Sequence, residues 1–143
     1  MPNAAVAAKH IASYQGHYAT AQALDTAGDE WAAVCYFYAA FRAARAALYN
    51  DTRLDSDAAA RAAHPRLNAG SRHVDFHNGY RTVGPGMNDV VRYLYPAIGS
   101  AYELLHTKSI EVRYLDGLVG VSIADVRGLA DKVLAHLQSL NLL

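Results

Sequence analysis

The chain has 143 residues, 52% of them hydrophobic, which predicts a single domain with a full core. Thirteen basic residues balance thirteen acidic ones, so net charge provides no general attraction to nucleic acid or to anionic membranes, and such binding must use a local patch. No apolar run approaches the roughly 18 residues of a membrane span, and the N-terminus lacks the layout of a secretion signal, so we expect a cytoplasmic protein without a membrane partner.

Two long helices are predicted at the start of the chain. Apolar and aromatic residues recur at spacings of three and four over about residues 4–27, until Gly28 ends the pattern. A second helix is predicted over about residues 30–49, with Asp29 as its N-terminal cap. The connection between the two is so short that they must form an antiparallel hairpin.

The second helix combines strong helix propensity with aromatic bulk and two arginines, Arg42 and Arg45, on a stripe that we expect to face inward. Alanines fill the gaps between the large side chains, so neighbouring helices can approach closely. This composition predicts the central helix of a bundle. The single cysteine, Cys35, excludes an intrachain disulfide, is compatible with a reducing compartment and is expected to be a small buried side chain.

The rest of the chain predicts further helices after a long loop. Residues 50–86 are rich in turn-forming residue types and contain one short predicted helix over 57–63, with Ser56 as its expected cap. A third long helix is predicted over 88–114, bent or divided near its first third by Pro96. A last helix over 122–140 opens with a capping-box pattern. With no strand-like alternation, the predicted fold class is all-α, a bundle of four to five helices around a hairpin core.

Two segments on these helices resemble a known family. The first is Trp31-Ala-Ala-Val-Cys-Tyr-Phe-Tyr-Ala-Ala-Phe-Arg-Ala-Ala-Arg-Ala46, and the second ends in Ser109-Ile-Glu-Val-Arg-Tyr114. Together, with a histidine-containing loop between them, they resemble the HEPN-domain superfamily. Val112 stands where related proteins usually have a small residue. The resemblance covers the second and third long helices best.

The resemblance implies a helical bundle that often dimerises and, in one branch, a metal-independent endoribonuclease of toxin or defence systems. The family's catalytic motif is an arginine, four to six residues, and a histidine, which meets its own copy across a dimer. In chemical terms the arginine holds the scissile phosphate and the histidine moves a proton. We therefore expect a homodimer and neither a metal nor a cofactor.

Two pairs in the long loop match this motif, Arg72 with His77 and Arg66 with His73. The resemblance makes Arg72 and His77 the candidate phosphate clamp and general acid or base, with His73 in reserve. The alternative is a solvated polar loop, because this arginine-rich chain produces about as many matches by chance. In the active branch the motif usually stands near the start of a helix, whereas here it lies in a loop.

A second set of arginines is predicted to bind a phosphate or another ligand: Arg42, Arg45, Arg66, Arg81 and Arg113. A buried guanidinium needs a carboxylate, a carbonyl or a ligand phosphate as its partner. Structural ion pairs with Glu103, Glu111 or Asp89 are the alternative to ligand binding. A pocket for a nucleotide or small molecule, lined by Arg42, Arg45 and tyrosines, is a further possibility.

Two functional hypotheses from different classes follow. The first is a HEPN-like protein that binds RNA or a nucleotide, with cleavage of RNA through Arg72 and His77 as its catalytic form. The second is a noncatalytic interaction module of the same fold that dimerises through its third or last helix and binds a partner protein. The sequence leaves both hypotheses open.

Overall fold

The computed structural model describes residues 3–78 and 84–143, and over these ranges the protein is all-helical, as the sequence predicts. The six α-helices there are α1 (Asn3–Thr26), α2 (Ala32–Asn50), α3 (Asp57–Ala63), α4 (Met87–Leu94), α5 (Gly99–Tyr114) and α6 (Ile123–Ser139). Short 3-10 helices form at Thr52–Leu54, Ala69–His73 and Pro96–Ile98. None of the described helices is both long and apolar enough to cross a bilayer.

The first two helices form the predicted antiparallel hairpin. Gly28 adopts a φ of 71° after the end of α1, a conformation that glycine reaches without strain. The second helix begins at Ala32, with Trp31 as its cap residue. Asp29 is therefore not the helix cap that we predicted: its Oδ1 accepts a hydrogen bond from the Trp31 backbone N–H at 2.9 Å and so stabilises the turn before the helix.

The second helix is the central one, as predicted, because it contacts α1, α5 and α6. Thirteen of its 19 residues are buried, most of them alanines that allow this close approach. Trp31 is instead 49% exposed, and Arg42 and Arg45 are only half-buried, so the arginine stripe lies at the edge of the buried face. The largest fully buried side chains of the core include Tyr36, Phe37, Leu48, Tyr95, Tyr102, Leu105 and Leu137.

The predicted third helix is divided at Pro96 into α4 and α5. Proline has no backbone N–H to continue the helical ladder, and here it occupies the first position of a 3-10 turn. Residues 51–78, the described part of the long loop before α4, contain more regular structure than their composition predicts. Leu54, Leu67 and Val74 anchor it in the core, and α3 has the predicted Ser56 cap.

The last helix closes the bundle against α2 and α5. Its capping box is formed as predicted: Ser122 Oγ accepts from the backbone N–H of Asp125 at 3.1 Å, and Asp125 Oδ2 accepts from that of Ser122 at 2.9 Å. The apolar seam of α6 is buried at Val126, Ala130, Val133 and Leu137. Helix α2 is thus packed against three helices, α1, α5 and α6.

Candidate functional site

Three of the predicted ligand-binding arginines converge around aromatic rings of α2. Arg42 and Arg45 lie three residues apart, and their guanidinium carbons lie 5.8 and 5.9 Å from the centroid of the Phe41 ring. Arg113, near the end of α5, donates from Nη1 to the hydroxyl of Tyr38 at 2.9 Å. The Tyr38 and Phe41 rings are 6.3 Å apart. We call Arg42, Arg45 and Arg113 the arginine cluster.

No carboxylate within residues 3–78 and 84–143 forms an ion pair with the arginine cluster. The candidate partners are engaged elsewhere: Asp89 and Glu103 pair with Arg92, and Glu111 pairs with Lys108. The expected structural ion pairs of Arg42 and Arg45 are therefore wrong. Half-buried arginines without a counter-charge repel one another and raise the local positive potential.

Two histidines of α1 face this positive charge. His10 Nδ1 lies 3.4 Å from Arg42 Nη1, and burial together with the charges of Arg45 and Arg42 lowers the pKa of His10 to about 4. His17 packs its ring against Tyr38, with 5.8 Å between ring centroids. Its pKa is lowered as well, first by burial and then by Arg42. Both imidazoles are therefore neutral near pH 7.

A second pair of histidines, His77 and His106, lies beside the aromatic rings of α2. The rings of His77 and His106 are 4.5 Å apart, and both pack on Phe37. Asn88 Nδ2 lies 3.1 Å from His106 Nδ1, within hydrogen-bond distance. Burial, His77 and Arg113 lower the pKa of His106 to about 4, and burial and Arg113 lower the pKa of His77.

The position of His77 is fixed by main-chain hydrogen bonds to the start of α4. The backbone N–H of Met87 donates to Phe76 O at 2.8 Å, and that of Asn88 donates to His77 O at 3.1 Å. The Asn88 side chain adds a bond to Asn78 Oδ1 at 3.1 Å. The imidazole therefore has a defined place beside α2.

Buried polar atoms without a hydrogen-bond partner concentrate at the same place. Five such side-chain atoms occur in the described part of the chain, each at or beside the arginine cluster and the histidine pair: Arg42 Nε, Arg45 Nε, His77 Nδ1, Asn88 Oδ1 and Tyr102 Oη. Leaving such a group unpaired costs about 1–3 kcal/mol, so most folded proteins have few of them. Their concentration is typical of a polar binding site rather than of an optimised core.

Arg72, a predicted catalytic residue, has different neighbours. Its side chain is buried, with Nε donating to Leu48 O at 3.2 Å and Nη2 donating to Asp51 O at 3.0 Å. Nη2 also pairs with Asp55 at 2.9 Å. These bonds tie the 3-10 helix Ala69–His73, which contains Arg72, to the carboxyl end of α2. Arg72 therefore has a structural role. The structure does not bring its guanidinium to His77.

His73, the reserve acid or base, lies at the edge of the site. Its Nδ1 is 3.0 Å from the hydroxyl of Tyr49, and the Tyr49 ring stacks on that of His10 at 5.9 Å. Because His10 contacts Arg42, His73 is connected to the arginine cluster through two other side chains. It does not contact the cluster itself in the described structure.

Arg66, another ligand-binding candidate, contacts α4 instead of the arginine cluster. Arg66 donates from Nη1 to the Tyr93 hydroxyl at 2.9 Å, and His64 stacks on the Tyr93 ring at 3.7 Å. Arg66 therefore fastens the segment after α3 to α4. Arg81 lies outside the described residues.

Three residues of the site, His10, His17 and His106, were not predicted from the sequence. A signal existed for the two on α1, because a spacing of seven places both on one face of a helix. For His106 the only signal in the sequence was its position on the same predicted helix as Arg113. What brings these residues together is packing between helices, which residue spacing within one helix does not reveal.

The described residues contain no group of three or more His, Cys, Asp or Glu side chains arranged to hold a metal ion. Comparisons of the chain with protein-family models, curated proteins and solved structures find no match. The relationship to the HEPN superfamily therefore stays a proposal, and it rests on the residue patterns quoted above.

The lowered histidine pKa values predict that the protein is less stable in mild acid. His10 and His106 have pKa values of about 4 in the fold, against an ordinary value of 6.5. Protons therefore bind preferentially to the unfolded chain, and stability that is complete above pH 6.5 is lost as the pH falls toward 4. For buried His106 alone, we expect a loss of about 1–2 kcal/mol at about pH 5.

Urea unfolding near pH 7 and near pH 5 measures this loss. His106→Asn keeps an acceptor for Asn88 and is expected to reduce the difference between the two pH values, whereas His136→Asn on α6 controls for the substitution itself. The same pH dependence in His106→Asn and in the wild type would contradict the assignment.

Proposed function

We propose that this is a HEPN-like helical protein that binds RNA or a nucleotide, with the arginine cluster holding a phosphate group of that ligand. One observation carries the proposal: three guanidinium groups lie against two neighbouring rings, Phe41 and Tyr38, and no carboxylate among the described residues forms an ion pair with them. Guanidinium groups bind phosphate oxygens through paired, charge-assisted hydrogen bonds. The net charge of zero does not oppose this, because the positive potential is local.

The neighbouring histidines support an anionic ligand. Positive charge is one of the causes that lower the pKa values of His10, His17, His77 and His106. A bound phosphate would oppose that field and raise these pKa values again. Ligand binding would then be coupled to proton uptake by the protein, and affinity would increase as the pH falls below 7.

The resemblance further implies cleavage of RNA, and the site offers residues for that chemistry. His77 is the member of the predicted catalytic set that lies beside the arginine cluster, and His106 provides a second imidazole 4.5 Å away, centroid to centroid. In this proposal the cluster takes the role of phosphate clamp that the motif assigns to Arg72. His77 moves a proton to or from the 2′-hydroxyl or the leaving oxygen.

The noncatalytic interaction module is the alternative. Large apolar side chains are exposed around the start of α2 and the turn after α5, where Glu30 accepts a hydrogen bond from the backbone N–H of Leu118. They are Trp31, Tyr114, Leu115 and Val119. Exposed apolar groups of this kind are typical of protein contacts. Failure of the wild type to bind any phosphate-bearing ligand would favour this alternative.

Titration of labelled single-stranded RNA and of ATP tests the proposal. Arg45→Gln is expected to weaken binding by about 10- to 100-fold, because loss of charge-assisted hydrogen bonds costs about 1.5–3 kcal/mol. Arg61→Gln, on the exposed surface of α3, removes the same charge and is expected to leave the affinity within about twofold. Equal weakening by both variants, or no binding by the wild type, would contradict the proposal.

The ribonuclease component is tested separately with the same RNA. We expect cleavage by the wild type and its loss in His77→Ala. Equal cleavage by both proteins, or cleavage by neither, would contradict the catalytic component while leaving the binding component to the titration.

A further inference from the structure

We infer that the arginine cluster selects a terminal phosphate, a phosphomonoester dianion, over the diester phosphates of a nucleic-acid backbone. This inference rests on the proposed function and narrows its ligand to one chemical class. Both a phosphorylated oligonucleotide end and a free nucleotide carry such a group. The argument uses the spatial arrangement, the charge and the hydrogen-bonding capacity of the cluster.

The arrangement of the three arginines suits one multiply charged group. The guanidinium carbons of Arg42 and Arg45 lie 5.8 and 5.9 Å from the centroid of one ring, Phe41, and Arg113 donates to the hydroxyl of Tyr38, whose ring centroid lies 6.3 Å from that of Phe41. A nucleic-acid backbone presents single negative charges that are spaced along a strand. Proteins that follow such a strand place their cations along a groove, whereas these three gather around one pair of rings.

The charge balance favours the same ligand. The cluster carries three positive charges without a carboxylate partner in the described part of the chain. A diester phosphate would neutralise one of them. A phosphomonoester carries a charge of about −1.5 to −2 near pH 7 and would neutralise nearly two. The repulsion among half-buried guanidinium groups is therefore relieved more fully by the terminal group.

The hydrogen-bonding capacity of the cluster also exceeds what a diester accepts. The described residues provide no acceptor for Arg45, and they provide only the His10 ring nitrogen for Arg42. Each guanidinium has five N–H donors. A terminal phosphate presents three strongly accepting oxygens, against two non-bridging oxygens in a diester. Two adjacent guanidinium groups on one helix can share such a group in a fork-like arrangement.

Two matched ligand pairs test the inference on the full chain at one fixed salt concentration. The first pair is a short single-stranded RNA with a 5′-phosphate and the same RNA with a 5′-hydroxyl. The second is adenosine 5′-monophosphate and the corresponding 3′,5′-cyclic diester. We expect the monoester to bind at least about tenfold more tightly in one or both pairs. The pair that shows the difference identifies the oligonucleotide end or the free nucleotide as the source.

The preference should disappear in Arg45→Gln and in Arg42→Gln and should persist in Arg61→Gln, with circular dichroism confirming that each variant is folded. Equal affinity for both members of each pair, weakened by Arg45→Gln, would overturn the inference while the proposed function stands. A preference that persists in both cluster variants would also overturn it. Absence of binding to all four ligands would overturn the inference and the proposed function together.

Discussion

Replacing Arg72 by alanine is expected to lower the free energy of unfolding by about 2–4 kcal/mol, through lost hydrogen bonds and packing. The side chain is 7% exposed, and it donates to the carbonyl oxygens of Leu48 and Asp51 and to the carboxylate of Asp55. Alanine would remove the side-chain donor to Leu48 O, leave Asp51 O with only the Leu54 backbone N–H as its donor, and leave a cavity where the guanidinium lay. Chemical denaturation of the purified protein measures the change.

Two comparisons sharpen this prediction. Arg72→Lys keeps the charge but loses the planar fork that reaches several acceptors, so we expect an intermediate loss. Arg61→Ala, at an exposed position of α3, should change stability by less than about 0.5 kcal/mol. If Arg72→Ala instead stayed within 1 kcal/mol of the wild type and lost affinity for RNA, Arg72 would belong to the binding site, as the family motif implies.

Replacing Arg42 and Arg45 together by glutamine is expected to stabilise the protein while removing the proposed phosphate binding. The free energy of unfolding should rise by about 0.5–2 kcal/mol, because two half-buried positive charges without carboxylate partners in the described structure are removed from beside Arg113. Glutamine keeps high helix propensity, so the backbone of α2 should not be disturbed. Affinity for phosphate-bearing ligands should fall by at least about 100-fold.

The ligand itself provides the control for this prediction. At 100 times its dissociation constant, a ligand adds about 2.7 kcal/mol of apparent stability to the wild type, and it should add almost none to the double variant. Thermal unfolding with and without ligand measures both effects. A double variant that is less stable than the wild type would show that the two arginines serve the fold, and the proposal would lose its physical basis.

Local patterns predicted the helical framework well because the forces that begin and end helices act over a few residues. Gly28 ends α1, Ser56 and Ser122 cap their helices, and Pro96 divides the third one. The prediction for Asp29 was wrong because a short turn intervenes between that residue and α2. Helix caps and helix ends can be located from the sequence. The residue at which α2 begins depends instead on how the hairpin between α1 and α2 closes.

The long loop and the site were harder to predict because their structure depends on distant residues. The composition of residues 50–86 indicated turns, yet Leu54 and Leu67 are core residues and Arg72 is anchored on α2. Arg42 and Arg45 were recognised as unusual, but their expected carboxylate partners pair with other cations. Spacing along one helix cannot show which residue of another helix will approach.

Two main-chain hydrogen bonds connect the segment that ends at His77 to the start of α4. The N–H groups of Met87 and Asn88 donate to the carbonyl oxygens of Phe76 and His77. The backbone at His77 is thus anchored to the start of α4, and this anchor sets where the side chain begins beside α2. Insertions and substitutions between these anchors can therefore accumulate without displacing the acid-base candidate.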